Sequence, residues 1–310
     1  MVNSNERGRA FELVVRRALL AYAVKKRVLI EETENSKKRE PVEGKYFNEL
    51  DAETQHSFVS GAWAFSRWVD EQGWFDNATK MVLDRVPDNK AKERDPTDIR
   101  LRITYNNGNA EEKNISVKHM HSALCHPRLP SLAQQCGFEK GSKVDKDYRE
   151  SYKKIWNEFY SKVKRLKRKV ETYSELDKID KSYRRNWLYE PLQLNTIKFL
   201  NEKANNEEGA ATFFKYLVGD VDYYVLKNDK DFIEVKHFSG VETPKGFKIT
   251  YPYKSKTTFL MEFNNGWNIS MRLHTASSRI ENKGKAHMTE KMDPICKNLK
   301  NLIRIDKVSI

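Results

Sequence analysis

Residues 96–119, PTDIRLRITYNNGNAEEKNISVKH, contain two alternating segments joined by a turn. In DIRLRITY (98–105) apolar side chains alternate with polar or charged ones, and NISVKH (114–119) alternates in the same way. A period of two is typical of half-buried strands, and the run NNGN (106–109) favours a tight turn between them. The stretch therefore predicts a hairpin with one apolar and one polar face.

Helical periodicity dominates the chain on both sides of this hairpin, with apolar side chains recurring every three or four positions. Helices are predicted over 8–27, from residue 51 onwards, over 76–83, over 145–172 and over 191–216. Further strands are predicted at 220–226, 231–238 and 268–274, and a surface loop at the charged segment 31–45. With no internal repeat or long low-complexity linker, we expect a mixed α+β chain forming one domain over 1–310, with a helical insertion at 145–205.

Basic residues outnumber acidic ones by 57 to 44, which gives a formal net charge of +13 and a pI near 9.4. Such a surplus favours a polyanionic partner, because each phosphate that is neutralised releases condensed counterions. Ribosomal proteins and proteins that bind anionic membranes share this property. Charge alone therefore does not identify a nucleic-acid binder.

The cysteines and the N-terminus indicate the compartment. Cys125, Cys136 and Cys296 are odd in number and scattered, which argues against a disulfide framework and for a reducing environment. The polar N-terminus leads into a helical pattern rather than a signal peptide, and the apolar run at 19–24 is far too short to cross a bilayer. We expect a cytoplasmic protein with no membrane partner.

The polar face of the hairpin groups chemically active side chains. By strand parity Asp98, Ser116 and Lys118 share this face. An aspartate beside an acid-x-lysine strand can hold Mg²⁺ and stabilise the anionic transition state of phosphodiester hydrolysis. Ser116 stands where that pattern has an acid, so a second carboxylate is expected from Glu12 or, as a weaker candidate, from Glu112. The ordinary alternative is a strand-capping aspartate beside a solvated lysine.

A second arrangement competes with the first on periodicity. Asp222, Glu234 and Lys236 lie on the predicted strands 220–226 and 231–238, in a more orthodox aspartate and Glu-x-Lys order. Its alternative is a solvent-facing strand pair on a surface rich in lysine and aspartate, which we favour for this set.

Segment 118–130, KHMHSALCHPRLP, is dense in groups that bind metals or bases. The residues available to a zinc ion are His119, His121, Cys125 and His126. Their spacing fits no standard zinc finger. Alternatively, Arg128 donates two hydrogen bonds to guanine and the histidines contact phosphates or base edges. A folded loop without any ligand is the third interpretation.

The run KVKRLKRK (162–169) carries six cations in eight residues on the polar side of a predicted helix. This is more charge than a helix needs for solubility. We expect it to make sequence-independent contacts with phosphates, which position a duplex without reading it. The residues concerned are Lys162, Lys164, Arg165, Lys167 and Arg168.

Four segments in order, GRAFE (8–12), PTDIR (96–100), ISVKHMHSALCHPRLPS (115–131) and GWNISMRLHTASSRIE (266–281), resemble the HaeIII restriction endonuclease family. The most specific pieces are SVKHxHxAxxHxRL and GWxxSxRxHxAS. Both are long and rich in rare residues, whereas the helices between them carry the likeness only weakly.

This resemblance implies a PD-(D/E)XK nuclease fold, in which a mixed central sheet is flanked by helices and carries helical insertions. It implies a type II restriction endonuclease that uses Mg²⁺ to hydrolyse double-stranded DNA at a short palindrome, GGCC. A palindromic target favours a homodimer over a monomer that cuts each strand in turn. A cognate DNA methyltransferase is expected in the host.

The resemblance favours the first catalytic site, because Asp98 and Lys118 match the family's catalytic aspartate and lysine, with serine tolerated at Ser116. Asp98 and Glu12 would hold Mg²⁺, Ser116 would support a water bound to it, and Lys118 would stabilise the transition state. The set containing Asp222 does not match. DNA contacts are further expected from His119, His121, His126, Arg128, Arg272 and His274.

Two other functions are compatible with the same residues. A non-catalytic, sequence-specific DNA-binding protein would keep the basic run and the segment 118–130. A zinc-dependent nuclease would be centred on the histidines of that segment.

Overall fold

The computed structural model describes residues 2–87, 95–119, 125–229, 231–275, 277–280 and 290–310. The chain forms two compact units. The first unit comprises Met1–Ser122, Asp220–Val241 and Ile303–Ile310, and the second comprises Ala123–Gly219 and Glu242–Leu302.

The first unit is built on a seven-stranded mixed sheet. Its strands are β1 (Leu29–Glu32), β2 (Ala78–Arg85), β3 (Ile99–Tyr105), β4 (Ala110–His119), β5 (Tyr223–Asn228), β6 (Phe232–Phe238) and β11 (Arg304–Ser309). Their order in the sheet is β1-β2-β3-β4-β5-β6-β11, with β1–β2 and β4–β5 parallel and the other pairs antiparallel. The mixed α+β class predicted from the sequence is confirmed.

The predicted hairpin is formed by β3 and β4. They pair in antiparallel register with Ile99 opposite Ile115, and the turn between them contains Gly108 with a φ of 82°. Glycine adopts this positive φ without a steric penalty, which suits Gly108 to the tight turn between the two strands. Ile99, Ile115 and Val117 point into the core, so the residues of opposite parity form the other face of the sheet.

Three helices of the first unit are α1 (Ser4–Lys25), α2 (Glu34–Asn48) and α3 (Ala52–Glu71). Asn3 caps α1 in a capping box with Glu6, and Asp51 caps α3. Both helices bury apolar side chains in the same core as the hairpin; Phe11 and Phe58 lie with their ring centroids 4.9 Å apart. The helices predicted over 8–27 and from residue 51 are confirmed.

The prediction of a surface loop at 31–45 is wrong, because β1 and α2 occupy this segment. Thr33 caps α2, but the helix offers few apolar residues to the core; its fully buried residues are Ser36 and Glu43. The α2 helix is held by charge instead: Arg16 of α1 donates to Ser36 Oγ over 3.1 Å and pairs with Glu43. Hydrophobic periodicity cannot detect a helix anchored by buried ions.

The short helix predicted over 76–83 is also wrong, since this segment is β2. Met81 and Leu83 are fully buried in alternation with less buried neighbours, and the strand pairs with both β1 and β3. Two neighbouring strands supply ladder hydrogen bonds that outweigh a weak local helical pattern.

The second unit contains a four-stranded antiparallel sheet in the order β10-β9-β8-β7. The strands are β7 (Phe247–Thr250), β8 (Thr258–Phe263), β9 (Asn268–Thr275) and β10 (Glu290–Cys296). The helices are α4 (Leu132–Gln135), α5 (Lys143–Lys164), α6 (Tyr173–Ile179), α7 (Lys181–Arg184), α8 (Glu190–Phe199) and α9 (Glu207–Val218). The predicted helical segment 145–205 lies inside this unit. Within the described parts of the chain, no helix has both the length and the apolar character needed to cross a membrane.

Helix α5 ends earlier than its apolar spacing predicts, at Lys164 rather than near residue 172. The basic run 162–169 therefore begins in the last helical turn and continues beyond it. Continuing the helix would place like charges four residues apart, as for Lys164 and Arg168, and such pairs destabilise helices.

The ion pairs beneath α2 generate a test of what holds this helix. Glu43→Ala removes an acidic partner from two buried guanidinium groups, those of Arg16 and Arg85. We expect the free energy of unfolding, measured by guanidinium titration, to fall by about 3–5 kcal/mol, as for other broken buried ion pairs.

The matched control is Glu40→Ala on the same helix, which removes an exposed pair with Arg17 at 2.8 Å. Its expected cost is about 0–1 kcal/mol. Equal losses for the two variants would show that the buried ions do not anchor α2.

Candidate active site

The carboxylate of Asp98 is the centre of the site in the first unit. Its Oδ2 accepts hydrogen bonds from Ser116 Oγ at 3.1 Å and from the backbone amide of Val117 at 2.8 Å. Lys118 Nζ lies 3.8 Å from the same oxygen. Among the described residues, the other oxygen, Oδ1, has no hydrogen-bond partner. The structure thus brings together the three hairpin residues predicted from parity.

The backbone explains why these groups converge. The amide of Asp98, directly before β3, donates to the carbonyl of Ile115 over 2.9 Å, so Asp98 is tied to β4 next to Ser116. Ser116 is fully buried, whereas about a quarter of the Asp98 side chain and 17% of the Lys118 side chain are exposed. A phosphate could therefore reach the aspartate and the lysine but not the serine.

Glu12, the second carboxylate predicted for this site, lies on α1. Its side chain is buried, with Oε2 at 3.3 Å from Arg9 Nη1 and 3.6 Å from Arg85 Nη2. Burial and then the negative charge of Asp98 raise the pKa of Glu12 well above its ordinary value, while Arg9 and Lys118 act in the opposite direction. After burial, Asp98 is thus the neighbour that most disfavours ionisation of Glu12.

A chain of buried ions supports Glu12, and the sequence did not reveal it. Arg85 contacts Glu12 on one side and Glu43 Oε1, at 3.4 Å, on the other, and Glu43 pairs in turn with Arg16. Arg16, Glu43 and Arg85 are each at most 2% exposed. Pattern analysis assigns charged residues to the surface. The clustering of charge in 31–45 could have drawn attention to Glu43, but nothing in the sequence pattern marks Arg16 or Arg85 as buried.

The competing set is not assembled in the same way. Asp222 accepts from Ser239 Oγ at 3.0 Å, while Glu234 pairs with Lys236 at 2.7 Å. No contact in the described chain joins Asp222 to either of them. Glu112, the weaker alternative to Glu12, pairs with Arg100 at 3.2 Å.

The second unit holds a separate polar cluster around Asp293. His126 Nδ1 and His274 Nε2 lie 2.9 and 2.8 Å from Asp293 Oδ1, and Arg272 Nη2 lies 2.8 Å from Oδ2. Burial opposes ionisation of Asp293, but hydrogen bonds from His126, His274 and Arg272 hold its pKa well below the ordinary value. Three predicted DNA-binding residues are thus gathered by an aspartate that the sequence analysis missed.

The remaining residues of segment 118–130 have other neighbours. His119 packs edge-on against Phe58 in the first unit, with ring centroids 4.9 Å apart, and burial lowers its pKa. Arg128 forms a β-bridge with Lys291. His121 lies outside the described residues. The alternative zinc set of the sequence analysis includes His121 and is therefore not tested; among the described residues, His126 lies beside His274 and Asp293.

The predicted phosphate-binding run occupies the end of α5 and the segment after it. Lys162 and Lys164 lie in the last turn of the helix, where cations interact favourably with its dipole, and Arg165 is its C-cap. Lys167 and Arg168 follow outside the helix.

The sequence matches one family of known proteins. The family model described as HaeIII restriction endonuclease matches residues 8–243 and 228–289. Among solved structures, the chain is similar to restriction endonuclease MspI in complex with its cognate DNA, with 13% identity and a TM-score of 0.30, covering 84% of this chain and 99% of that one. No curated protein matches.

The two carboxylate sets generate a direct test of which one binds a divalent cation. We expect Asp98→Asn to weaken Mn²⁺ binding, measured by calorimetry, by about tenfold or more, because it removes a charged oxygen ligand. Asp222→Asn, in which the side chain keeps its contact with Ser239, should leave the affinity unchanged. The reverse ranking would move the cation site to the β5–β6 hairpin.

Proposed function

The chain belongs to the HaeIII restriction endonuclease family, and we propose that it is a magnesium-dependent type II enzyme that cuts double-stranded DNA at the palindrome GGCC. The observation that carries the catalytic assignment is the convergence of Ser116, Val117 and Lys118 on Asp98, beside the buried Glu12. The choice of GGCC rests on the family resemblance.

The side chains at this site suit magnesium. Asp98 and Glu12 offer carboxylate oxygens, which Mg²⁺ prefers, and one oxygen of Asp98 has no partner among the described residues. A cation between the two carboxylates would also favour the ionised form of Glu12, whose pKa is raised by burial and then by the charge of Asp98. When bound, the ion would supply charge neutralisation at the scissile phosphate and activation of the attacking water.

The chain's own residues would prepare and stabilise the reaction. Ser116 and the Val117 amide fix the orientation of Asp98, since both donate to Oδ2. Lys118, 3.8 Å from that oxygen and partly exposed, would donate to a phosphate oxygen as negative charge develops there. Arg85 and Arg9 would hold Glu12 in place. A second role for Ser116, supporting the attacking water, stays a prediction.

The duplex would be positioned by phosphate contacts and read by other residues. The basic run would neutralise phosphates, in keeping with the net charge of +13. Base edges would be contacted by His126, Arg128, Arg272 and His274. The palindrome favours a homodimer. A reducing cytoplasm and a host methyltransferase that protects the same sequence complete the proposal.

The activity is tested by incubating the purified protein with unmethylated plasmid, in Mg²⁺ or in chelator, and sequencing the fragment ends. We expect discrete fragments with GGCC at their ends, in Mg²⁺ alone. Discrete fragments with another shared sequence would overturn only the choice of target. Tight binding without cleavage would replace the nuclease with a DNA-binding protein.

The same assay tests the role of Lys118. Lys118→Ala should lower the cleavage rate by about 10²–10³-fold, the typical cost of removing a group that stabilises transition-state charge, while DNA binding persists. The matched control is Lys227→Ala: Lys227 is directly paired with Lys118 across the β4–β5 ladder but lies one strand further from Asp98. Similar losses in both variants would indicate a general effect of charge rather than catalysis.

The basic run makes a separate prediction about salt. Exchanging Lys167 and Arg168 together for glutamine should weaken binding to every duplex alike. It should also reduce the slope of log affinity against log salt by about 1.8, since each phosphate contact contributes about 0.9. An unchanged slope would place these side chains away from the DNA.

A further inference from the structure

One face of the sheet in the second unit carries polar side chains in two rows. Strand β10 pairs with β9 so that Asp293 lies opposite Arg272, and Lys291 lies opposite His274. Residues directly opposite each other in an antiparallel pair point to the same face. The array therefore has one column on β9, formed by Arg272 and His274, and an adjacent column on β10, formed by Asp293 and Lys291.

A third column comes from the segment before α4. Met292 donates its amide to the carbonyl of Pro127 over 2.9 Å, and Arg128 forms a β-bridge with Lys291. Counting back from that bridge places His126 opposite Asp293, in agreement with the 2.9 Å contact between them. The first row is Arg128, Lys291 and His274, and the second row is His126, Asp293 and Arg272.

Asp293 lies at the centre of the second row and is shielded from solvent. Its side chain is 12% exposed, whereas that of Arg272 is 60% exposed. The carboxylate is hydrogen-bonded to Arg272 and His274, and His126 Nδ1 lies 2.9 Å from its Oδ1. A ligand arriving at this face would meet the arginine and the imidazoles, with the aspartate holding them from behind.

The charge of the array identifies the class of ligand. Two imidazoles and a carboxylate within 4.8 Å resemble a metal-ligand set. However, Arg272 pairs with this carboxylate and Lys291 and Arg128 lie in the adjacent row, so with neutral histidines the six residues carry a formal charge of +2. Lys291 is half-buried: burial lowers its pKa, Asp293 raises it and Arg128 lowers it. Such a site repels a divalent cation and attracts electronegative acceptors.

We propose, resting on the nuclease function above, that Asp293 is a positioning residue that fixes Arg272, His126 and His274 as one unit for recognition of guanine edges in the major groove. Guanine presents two acceptors there, O6 and N7, which an arginine fork matches. The major groove also admits a β-ribbon, the element on which Arg272 and His274 are placed. A fixed fork discriminates between bases better than a freely rotating one.

The test compares Asp293→Asn with the wild type in the full chain. One duplex carries the sequence found at wild-type fragment ends, and the other has a single G·C pair replaced by A·T; binding is measured by fluorescence anisotropy in chelator. We expect the variant to lose about tenfold in discrimination while its affinity for the substituted duplex is unchanged. Its fragment ends should include near-cognate sequences.

Two further variants control for folding and for charge. Arg272→Lys keeps the positive charge but loses the fork, and it should lower discrimination in the same way; it provides the test if Asp293→Asn does not fold. Glu262→Gln on β8 removes an acidic charge from the same sheet, where Glu262 contacts Thr250, and should behave as the wild type.

The other outcomes each overturn the proposal. Equal weakening on both duplexes would make the array a phosphate clamp, and unchanged discrimination in both variants would remove it from base recognition. One zinc ion per wild-type chain, absent from Asp293→Asn, would make it a metal site. A wild type that neither cuts nor discriminates would refute the nuclease function itself. If the wild type does both, the variants test the role of Asp293 alone.

Discussion

The active-site geometry depends on one backbone hydrogen bond, from the amide of Asp98 to the carbonyl of Ile115. It ties Asp98, which directly precedes β3, to β4 beside Ser116, where its carboxylate accepts from the Ser116 hydroxyl and the Val117 amide. Because side chains alternate along a strand, a slip of one residue would send Ser116 and Lys118 into the core and Ile115 out of it. The burial of Ile99, Ile115 and Val117 therefore fixes the arrangement of the candidate site as well as the sheet.

The second constraint is that charge buried beside this hairpin must be compensated. Glu12 cannot lie near Asp98 without counter-charges, since an isolated buried carboxylate is costly. Arg85 and Arg9 provide them, and Arg85 is itself balanced by Glu43 of α2. The position of a surface-like, highly charged helix is thereby tied to the position of a candidate metal ligand.

How much of this could be predicted from the sequence depends on the range of the interactions. The hairpin and its polar face follow from strand parity, and α1 and α3 follow from apolar spacing, because both signals are local. The α2 helix and the Arg16–Glu43 pair could not be found that way, since the partners are far apart in sequence and both are charged. Asp293 was missed for a related reason: MDPIC (292–296) has no alternation, and its donors come from two distant segments.

Asp98 and Asp293 show how the surroundings decide what a partly buried aspartate does. Each accepts several hydrogen bonds from neighbouring strands or segments, so each is fixed in orientation. Asp98 has an acidic neighbour, Glu12, and the pair favours a cation. Asp293 pairs with Arg272 and lies next to a row that contains Arg128 and Lys291, and that array favours an acceptor-rich ligand. Under the proposed function the two carboxylates would have different tasks: Asp98 would hold a metal at the phosphate, and Asp293 would hold the groups that select the base. The local sign of the charge, rather than the residue type, assigns the two tasks.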